Sequence, residues 1–186
     1  MRLAISGTHC SGKSSLVEAF LLAHREFTHE PEAYFQLQDL YGESFSAEPS
    51  SDDFLQQLEY HNERLQQYQP GSQVVFERCA IDYVAYLHAL IDLKRHSADI
   101  GILNQSIDLA RSALQLVDIV IFLSAKRSHI YVPDEEDLEL RAAVDTNLER
   151  FLLNDGLDLL TDGRPVVLEV CGTIEQRLKM IDLAMV

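Results

Sequence analysis

The sequence predicts a three-layer α/β fold, a five-stranded parallel sheet with helices on both faces. Three observations predict it. Short apolar runs alternate with segments of helical period along the whole chain. The apolar runs lack in–out alternation, as strands covered on both faces do. A glycine-rich turn joins the first run directly to the first helical segment.

The elements follow in order. Residues 2–6, with Leu-Ala-Ile at their centre, read as a buried strand that stops at Gly7. Leu16, Val17, Phe20 and Leu21 give helical spacing over 13–25. Residues 26–29 read as a brief second strand ended by Pro31. Residues 36–52 are rich in Ser, Glu, Asp and Gln, with Gly42 and Pro49, and read as a short helix and a loop. Phe54, Leu55, Leu58 and Leu65 set a helix over 54–68, stopped by Pro70-Gly71. Residues 73–76 form a third strand. Helices follow over 80–93, apolar on most faces, and over 102–116. The run VDIVIFL at 117–123 is the strongest strand. A helix over 137–153 ends near Asp155-Gly156. Residues 165–170 make the fifth strand, and 173–185 a last helix with Thr173 as N-cap. No repeat, linker or low-complexity stretch divides the chain, so residues 1–186 read as one domain.

Acidic residues outnumber basic ones 30 to 15, a formal charge of −15 at pH 7. Nucleic-acid binders present a basic face, so no nucleic-acid partner is expected. The same field repels free anions, so a phosphate ligand needs a local, well-built site with a divalent cation. No membrane span and no signal peptide are expected, because no apolar run is long enough. Cys10, Cys79 and Cys171 form no C-x-x-C pair, so zinc and a disulfide framework are not expected and a reduced, cytoplasmic setting is. Each cysteine follows a predicted strand, so the three are expected to gather toward one sheet edge. Oligomeric state is left open.

The chemistry starts at Gly7-Thr8-His9-Cys10-Ser11-Gly12-Lys13-Ser14, followed by Ser15, which fits G-x-x-x-x-G-K-[ST] between a strand and a helix. Glycines let successive N–H groups converge on phosphate oxygens, and the helix N-terminus adds positive potential there. Lys13 reaches the β- and γ-phosphates, and Ser14 offers a hydroxyl to Mg²⁺. The expected ligand is therefore a nucleoside triphosphate with Mg²⁺, taken as ATP, with GTP left open as the donor. A second signal is Val74-Val75-Phe76-Glu77-Arg78, an apolar strand ending in a carboxylate and an arginine. Parallel strands collect their ends at one edge, so Glu77 is expected beside the metal and its water. Arg78 is expected to neutralise phosphate charge bidentately.

These motifs, with His29-Glu30-Pro31-Glu32-Ala33 after the second strand, resemble the small P-loop kinases of nucleosides and nucleotides. They also resemble the AAA-like P-loop ATPase group that includes the nicotinamide riboside kinase domain. The resemblance implies a P-loop NTPase fold with a small lid at about 126–140. Glu30-Pro31 and Glu77-Arg78-Cys79 stand where deoxynucleoside kinases carry E-P and E-R-S, with Cys79 in place of Ser. Pro31-Glu32-Ala33, and Arg78 through Asp82, Tyr83 and Tyr86, match the AAA-like pattern. Residues 60–64 resemble that group's polar helix, residues 130–134 its lid entry, and residues 171–173 the loop that passes over the adenine. The resemblance implies that Glu32 or Glu30 takes a proton from the acceptor hydroxyl. It also implies that Arg78 and a lid arginine, Arg127, screen developing charge, with Lys126 and Arg141 the other basic candidates. This lid is acidic instead of arginine-rich: Asp134, Glu135, Glu136, Asp137 and Glu139 read as a solvated helix start. His9 reads as a variable loop-tip residue, and His61 as a surface histidine, with contact to the acceptor as the alternative.

The expected function is ATP- and Mg²⁺-dependent phosphoryl transfer to a small hydroxyl or phosphate acceptor, nucleoside- or nucleotide-like. The alternative is a P-loop ATPase or nucleotide switch acting on a protein partner. The absence of an N-K-x-D guanine-reading motif and of a separate apolar-run-plus-Asp element favours the kinase.

Overall fold

In the computed structural model, which describes residues 1–42, 50–95, 99–127, 132–133, 136–160 and 163–186, the apolar runs become five strands. They are β1 (Arg2–Ser6), β2 (Thr28–Glu30), β3 (Val74–Glu77), β4 (Ile119–Phe122) and β5 (Val166–Glu169). All pair in parallel, in the order β2-β3-β1-β4-β5. Parallel neighbours need long crossovers, and helices supply them. The helix α1 (Lys13–Ala23) links β1 to β2, while α2 (Ala33–Tyr41) and α3 (Ser51–Gln67) lead to β3. Next come α4 (Ala80–Asp92) and α5 (Ile100–Leu114) before β4, α6 (Leu138–Leu148) before β5, and α7 (Ile174–Ala184).

Strand pleating sends alternate residues to opposite faces. Leu3, Ile5, Val75, Ile119 and Ile121 meet Leu16, Val17 and Phe20 of α1 and Ile181 of α7. Ala4, Val74, Phe76, Val120 and Phe122 meet the layer made by α3, α4, α5 and α6. The inner strands β1, β3 and β4 are buried on both faces, which is why they read as unbroken apolar runs, while the edge strands β2 and β5 are partly exposed. The helix α4 is enclosed by α3, α5 and α6 and buries ten of its residues, which explains its apolar composition on most faces.

Several boundaries differ from the sequence reading, for local reasons. The helix α3 starts at Ser51 because Ser50 and Asp53 cap it reciprocally: Ser50 Oγ accepts from Asp53 N at 3.2 Å, and Asp53 accepts from Ser50 N at 2.8 Å. The helix α5 starts at Ile100 because the Asp99 carboxylate accepts from Gly101 N and Ile102 N. The single helix expected over 137–153 changes winding: α6 ends at Leu148, and Glu149–Leu153 form a π-helical turn. A 3₁₀ turn, Ala125–Arg127, follows β4. Most of the loop expected before α3, residues 43–49, and much of the expected lid, residues 128–131 and 134–135, lie outside the described residues. Among the described residues no helix is long and apolar enough to cross a membrane.

Candidate active site

The C-terminal ends of the parallel strands share one edge, and the site is built there. The chain leaves β1 at Ser6 and turns through residues 7–12 into α1. Gly7 holds φ at 153°, and a Cβ there would stand 2.6 Å from Ser11 Oγ and 2.8 Å from the Leu123 carbonyl oxygen, so the turn admits only glycine. Gly12 caps α1 in the left-handed region at φ 89°. Lys13 folds back over the loop, its Nζ donating to the Thr8 carbonyl at 2.8 Å. Burial, together with the Arg78 charge, lowers the Lys13 ammonium to about 8. Residues 10–15 and Pro133 enclose a cleft of about 330 Å³ over the α1 N-terminus.

One wall of this region carries the two expected metal donors. Ser14 Oγ donates to Glu77 Oε1 at 2.6 Å. Glu77 Oε2 lies 3.5 Å from Nε2 of His29, the middle residue of β2, an ion-pair distance longer than a good hydrogen bond. Burial works to raise the Glu77 carboxyl, but His29, Ser14 and Lys13 together hold it below the usual range. Among the described residues no group of three or more His, Cys, Asp or Glu could hold a metal, so no all-protein cage exists there. Two hard oxygens beside a cleft over a helix N-terminus fit Mg²⁺, which takes one or two protein ligands and keeps the rest of its shell for water and ligand oxygens.

Behind the loop lies a buried charge network. Arg78 follows β3 with φ at 86°, a strained value for a side-chain-bearing residue. Its N–H donates to the Ile5 carbonyl at 3.0 Å, which fixes that turn against β1. Its guanidinium is buried, forms an ion pair through Nε with Glu32, and lies 3.7 Å from Asp82 Oδ2. Nη1 reaches the Gly7 carbonyl at 3.4 Å, and the cation stands 5.2 Å from the Tyr86 ring centroid. Arg78 therefore lies behind the loop with its charge engaged by carboxylates, not open to the cleft. Asp82 accepts from Ser6 Oγ and from Gly7 N, and burial raises its carboxyl to about 6.

The two candidate bases separate here. Glu30 receives Arg64 Nε and Nη2 at 2.8 and 2.9 Å, Gln36 Nε2 at 2.7 Å and the Tyr68 hydroxyl. Its lone pairs are spoken for, and it ties β2 to α3. Glu32, the residue before α2, is the carboxylate paired with Arg78 behind the loop.

The lid side contributes Arg141 from α6, whose Nε and Nη2 donate to the His9 and Cys10 carbonyls at 3.0 and 3.2 Å. Lys126 pairs with Glu149 on the surface. Arg127 ends the 3₁₀ turn, and its side chain lies outside the described residues. The acidic run is partly a cap: Asp137 accepts from Leu140 N at 2.9 Å, and Arg95 from the end of α4 bridges Asp137 and Glu139. His9 sits at the loop tip with Nδ1 2.8 Å from the Tyr86 hydroxyl, which also accepts the His9 N–H. His61 is a correction: it is buried against Phe76 and Tyr83, and burial lowers its imidazole to about 4. Of the cysteines, Cys10 lines the cleft, Cys79 is buried before α4 and Cys171 is exposed. The sequence reading left out Asp82 and His29 as site residues. Asp82 had a signal, an acidic residue one helical turn after Arg78, but His29 had none.

Comparison with known proteins agrees with this architecture. A family model described as an AAA domain matches residues 2–177. Curated protein sequences give no match. Deoxyadenosine kinase from M. mycoides, solved with dCMP and a flexible dCDP, is similar at TM-score 0.65 and 21% identity, over 100% of this chain and 98% of the other. Thymidylate kinase from Candida albicans gives 0.64 at 16% identity, over 99% and 90%. NadR, solved with NAD and AMP-PNP, gives 0.66 at 14% identity, over 98% of this chain but 48% of NadR. At these identities the likeness is one of fold, that of the P-loop nucleoside and nucleotide kinases. With the family model spanning nearly its whole length and the phosphate loop seated at the sheet edge, the chain belongs to the AAA domain family.

Proposed function

We propose that this protein is a P-loop kinase, one domain over residues 1–186, that transfers a phosphoryl group from Mg²⁺-bound ATP to a hydroxyl or phosphate of a small nucleoside- or nucleotide-like acceptor. The observation that carries this reading is the Glu32–Arg78 pair. Transfer to an acceptor hydroxyl needs a carboxylate to take its proton, and Glu32 is one held in place beside the loop by an arginine that also touches the Gly7 carbonyl. The bound nucleotides named for the structural neighbours, dCMP and dCDP for the deoxyadenosine kinase and AMP-PNP for NadR, support a nucleotide donor and a related acceptor.

Phosphoryl transfer depends on positioning and charge neutralisation more than on covalent help. Backbone N–H groups of residues 10–15, which line the cleft, and the Lys13 ammonium hold the donor phosphates, while the N–H groups of Gly7 and His9 are held by Asp82 and Tyr86 and fix the loop's shape. Ser14 and Glu77 hold Mg²⁺, which supplies charge neutralisation on the phosphates when bound. Glu32 accepts the proton of an acceptor hydroxyl, while Arg78 keeps its carboxylate in one place. Arg141, with its planar fork already against the loop tip, is the lid cation best placed to screen the transferred group, and Arg127 is a second candidate.

The test is a transfer screen with labelled ATP against nucleosides, nucleotides and vitamins, with Lys13→Ala as control. Labelled product from at least one acceptor, abolished in the control, is expected. Label released only as inorganic phosphate, at a rate no acceptor changes, contradicts the kinase and favours the ATPase.

A further inference from the structure

We infer that Glu136, two residues before α6, makes the phosphate cleft selective for metal-complexed over metal-free polyphosphate. The inference rests on the reading of the cleft as a nucleoside triphosphate site.

Glu136 reaches back to the loop tip. Its Oε1 lies 3.7 Å from His9 Nδ1 and its Oε2 lies 3.8 Å from Cys10 Sγ. Cys10 and Pro133 line the cleft, so the carboxylate stands one side chain from its mouth. It is also largely enclosed, with 21% of its side chain exposed, so water screens it less than a surface acid. Neither neighbour cancels its charge. Partial burial and the cations of Arg78, Lys13 and Arg141 push the His9 imidazole well down, which keeps it neutral. Burial and Glu136 itself push the Cys10 thiol up, so it remains a neutral donor. Among the described residues no lysine or arginine forms an ion pair with Glu136, and the Arg141 guanidinium is turned to the His9 and Cys10 carbonyls.

The rest of the cleft attracts negative charge without discrimination. Loop N–H groups, the α1 terminus and Lys13 all favour the most highly charged ligand. A carboxylate at the rim opposes this in proportion to ligand charge, because Coulomb energy is linear in charge. Near neutrality, metal-free ATP carries about twice the negative charge of its magnesium complex, so the repulsion it meets is about twice as large in free energy.

That doubling gives a signature that a packing role cannot imitate. Glu136→Gln keeps the shape and removes the charge. If it strengthens binding of the magnesium complex about threefold, it must strengthen metal-free ATP about tenfold, the square of that factor. The experiment is calorimetric titration of the full chain at fixed ionic strength, with ATP in excess Mg²⁺ and with ATP in a chelator. Wild type, Glu136→Gln and Glu136→Ala are compared, and Asp108→Asn on the outer face of α5 controls for net charge. Unequal gains in the squared relation, absent from the control, support the inference. Equal gains, or none, overturn it while the cleft still binds Mg·ATP. Failure of folded wild type to bind either form overturns the reading of the cleft and this inference with it.

Discussion

The phosphate loop and the Glu32–Arg78 pair meet at one carbonyl, that of Gly7, yet they are held in opposite ways. The loop is made of backbone: glycines at 7 and 12, a lysine folded over its own turn, and an open cleft above. Its backbone is pinned at Gly7, His9 and Cys10, while residues 10–15 stay open to the cleft. The other wall is made of side chains, Glu32, Arg78, Asp82 and Tyr86, each enclosed and engaged by another. A ligand can change the first wall cheaply, whereas disturbing the second leaves buried charge without a partner. On the proposed function, the loop half binds the donor and the buried half positions the acceptor's proton acceptor.

The sharpest way to break this contrast is in Arg78. Arg78→Met leaves Glu32 and Asp82 uncompensated in the interior and should cost about 3–5 kcal/mol in chemical denaturation. A loss well under about 1 kcal/mol would show that the wall is not held by charge. Lys13→Ala should do the reverse. It should leave stability within about 1 kcal/mol, since a desolvated lysine contributes little to folding, and lower transfer by about 10²–10³-fold. Equal stability losses in both variants would erase the distinction between the two halves.

The pH dependence sharpens it further. In the empty protein Lys13 titrates at about 8, and bound phosphate raises that value, so above it binding requires proton uptake. The sign follows: affinity for Mg·ATP is full below about pH 8 and falls above it, by up to about tenfold per pH unit. Calorimetry across that range, with buffers of different ionisation enthalpy, reads both the affinity and the proton. A flat profile contradicts the buried, depressed lysine. The smallest expected effect lies outside both walls. Ser50→Ala removes one half of the α3 capping box and should cost about 1 kcal/mol, with no change in nucleotide affinity.

The same contrast decides what the sequence discloses. The loop is legible because its chemistry is local: two glycines, Lys13 and Ser14 within eight residues, between a strand and a helix. The parallel sheet is legible because strands buried on both faces leave a one-dimensional apolar pattern. The Ser50–Asp53 box was equally local and could have been read, since S-x-x-D before an apolar run marks a helix start. The acceptor wall could not. Glu30 and Glu32 are two residues apart with the same chemistry, and what separates them is the partner each meets. Glu30 meets Arg64, 34 residues on, and Glu32 meets Arg78, 46 residues on. Nor does composition distinguish His61, buried between Phe76 and Tyr83, from a histidine on an exposed helix face. Arg141 is chosen over Lys126 in the same way, by its reach to two loop carbonyls against a surface pair with Glu149.

Glu32→Gln therefore offers the most direct measurement, with Mg·ATP affinity and single-turnover phosphorylation of the identified acceptor followed in the same preparation. The account predicts a folded but less stable protein, because Arg78 loses its ion-pair partner, that still binds the nucleotide and transfers to the acceptor hydroxyl about 10²–10⁴-fold more slowly, as loss of a positioned proton acceptor requires. Transfer at the wild-type rate would contradict it, because the carboxylate that Arg78 holds beside the loop would then have no part in the reaction.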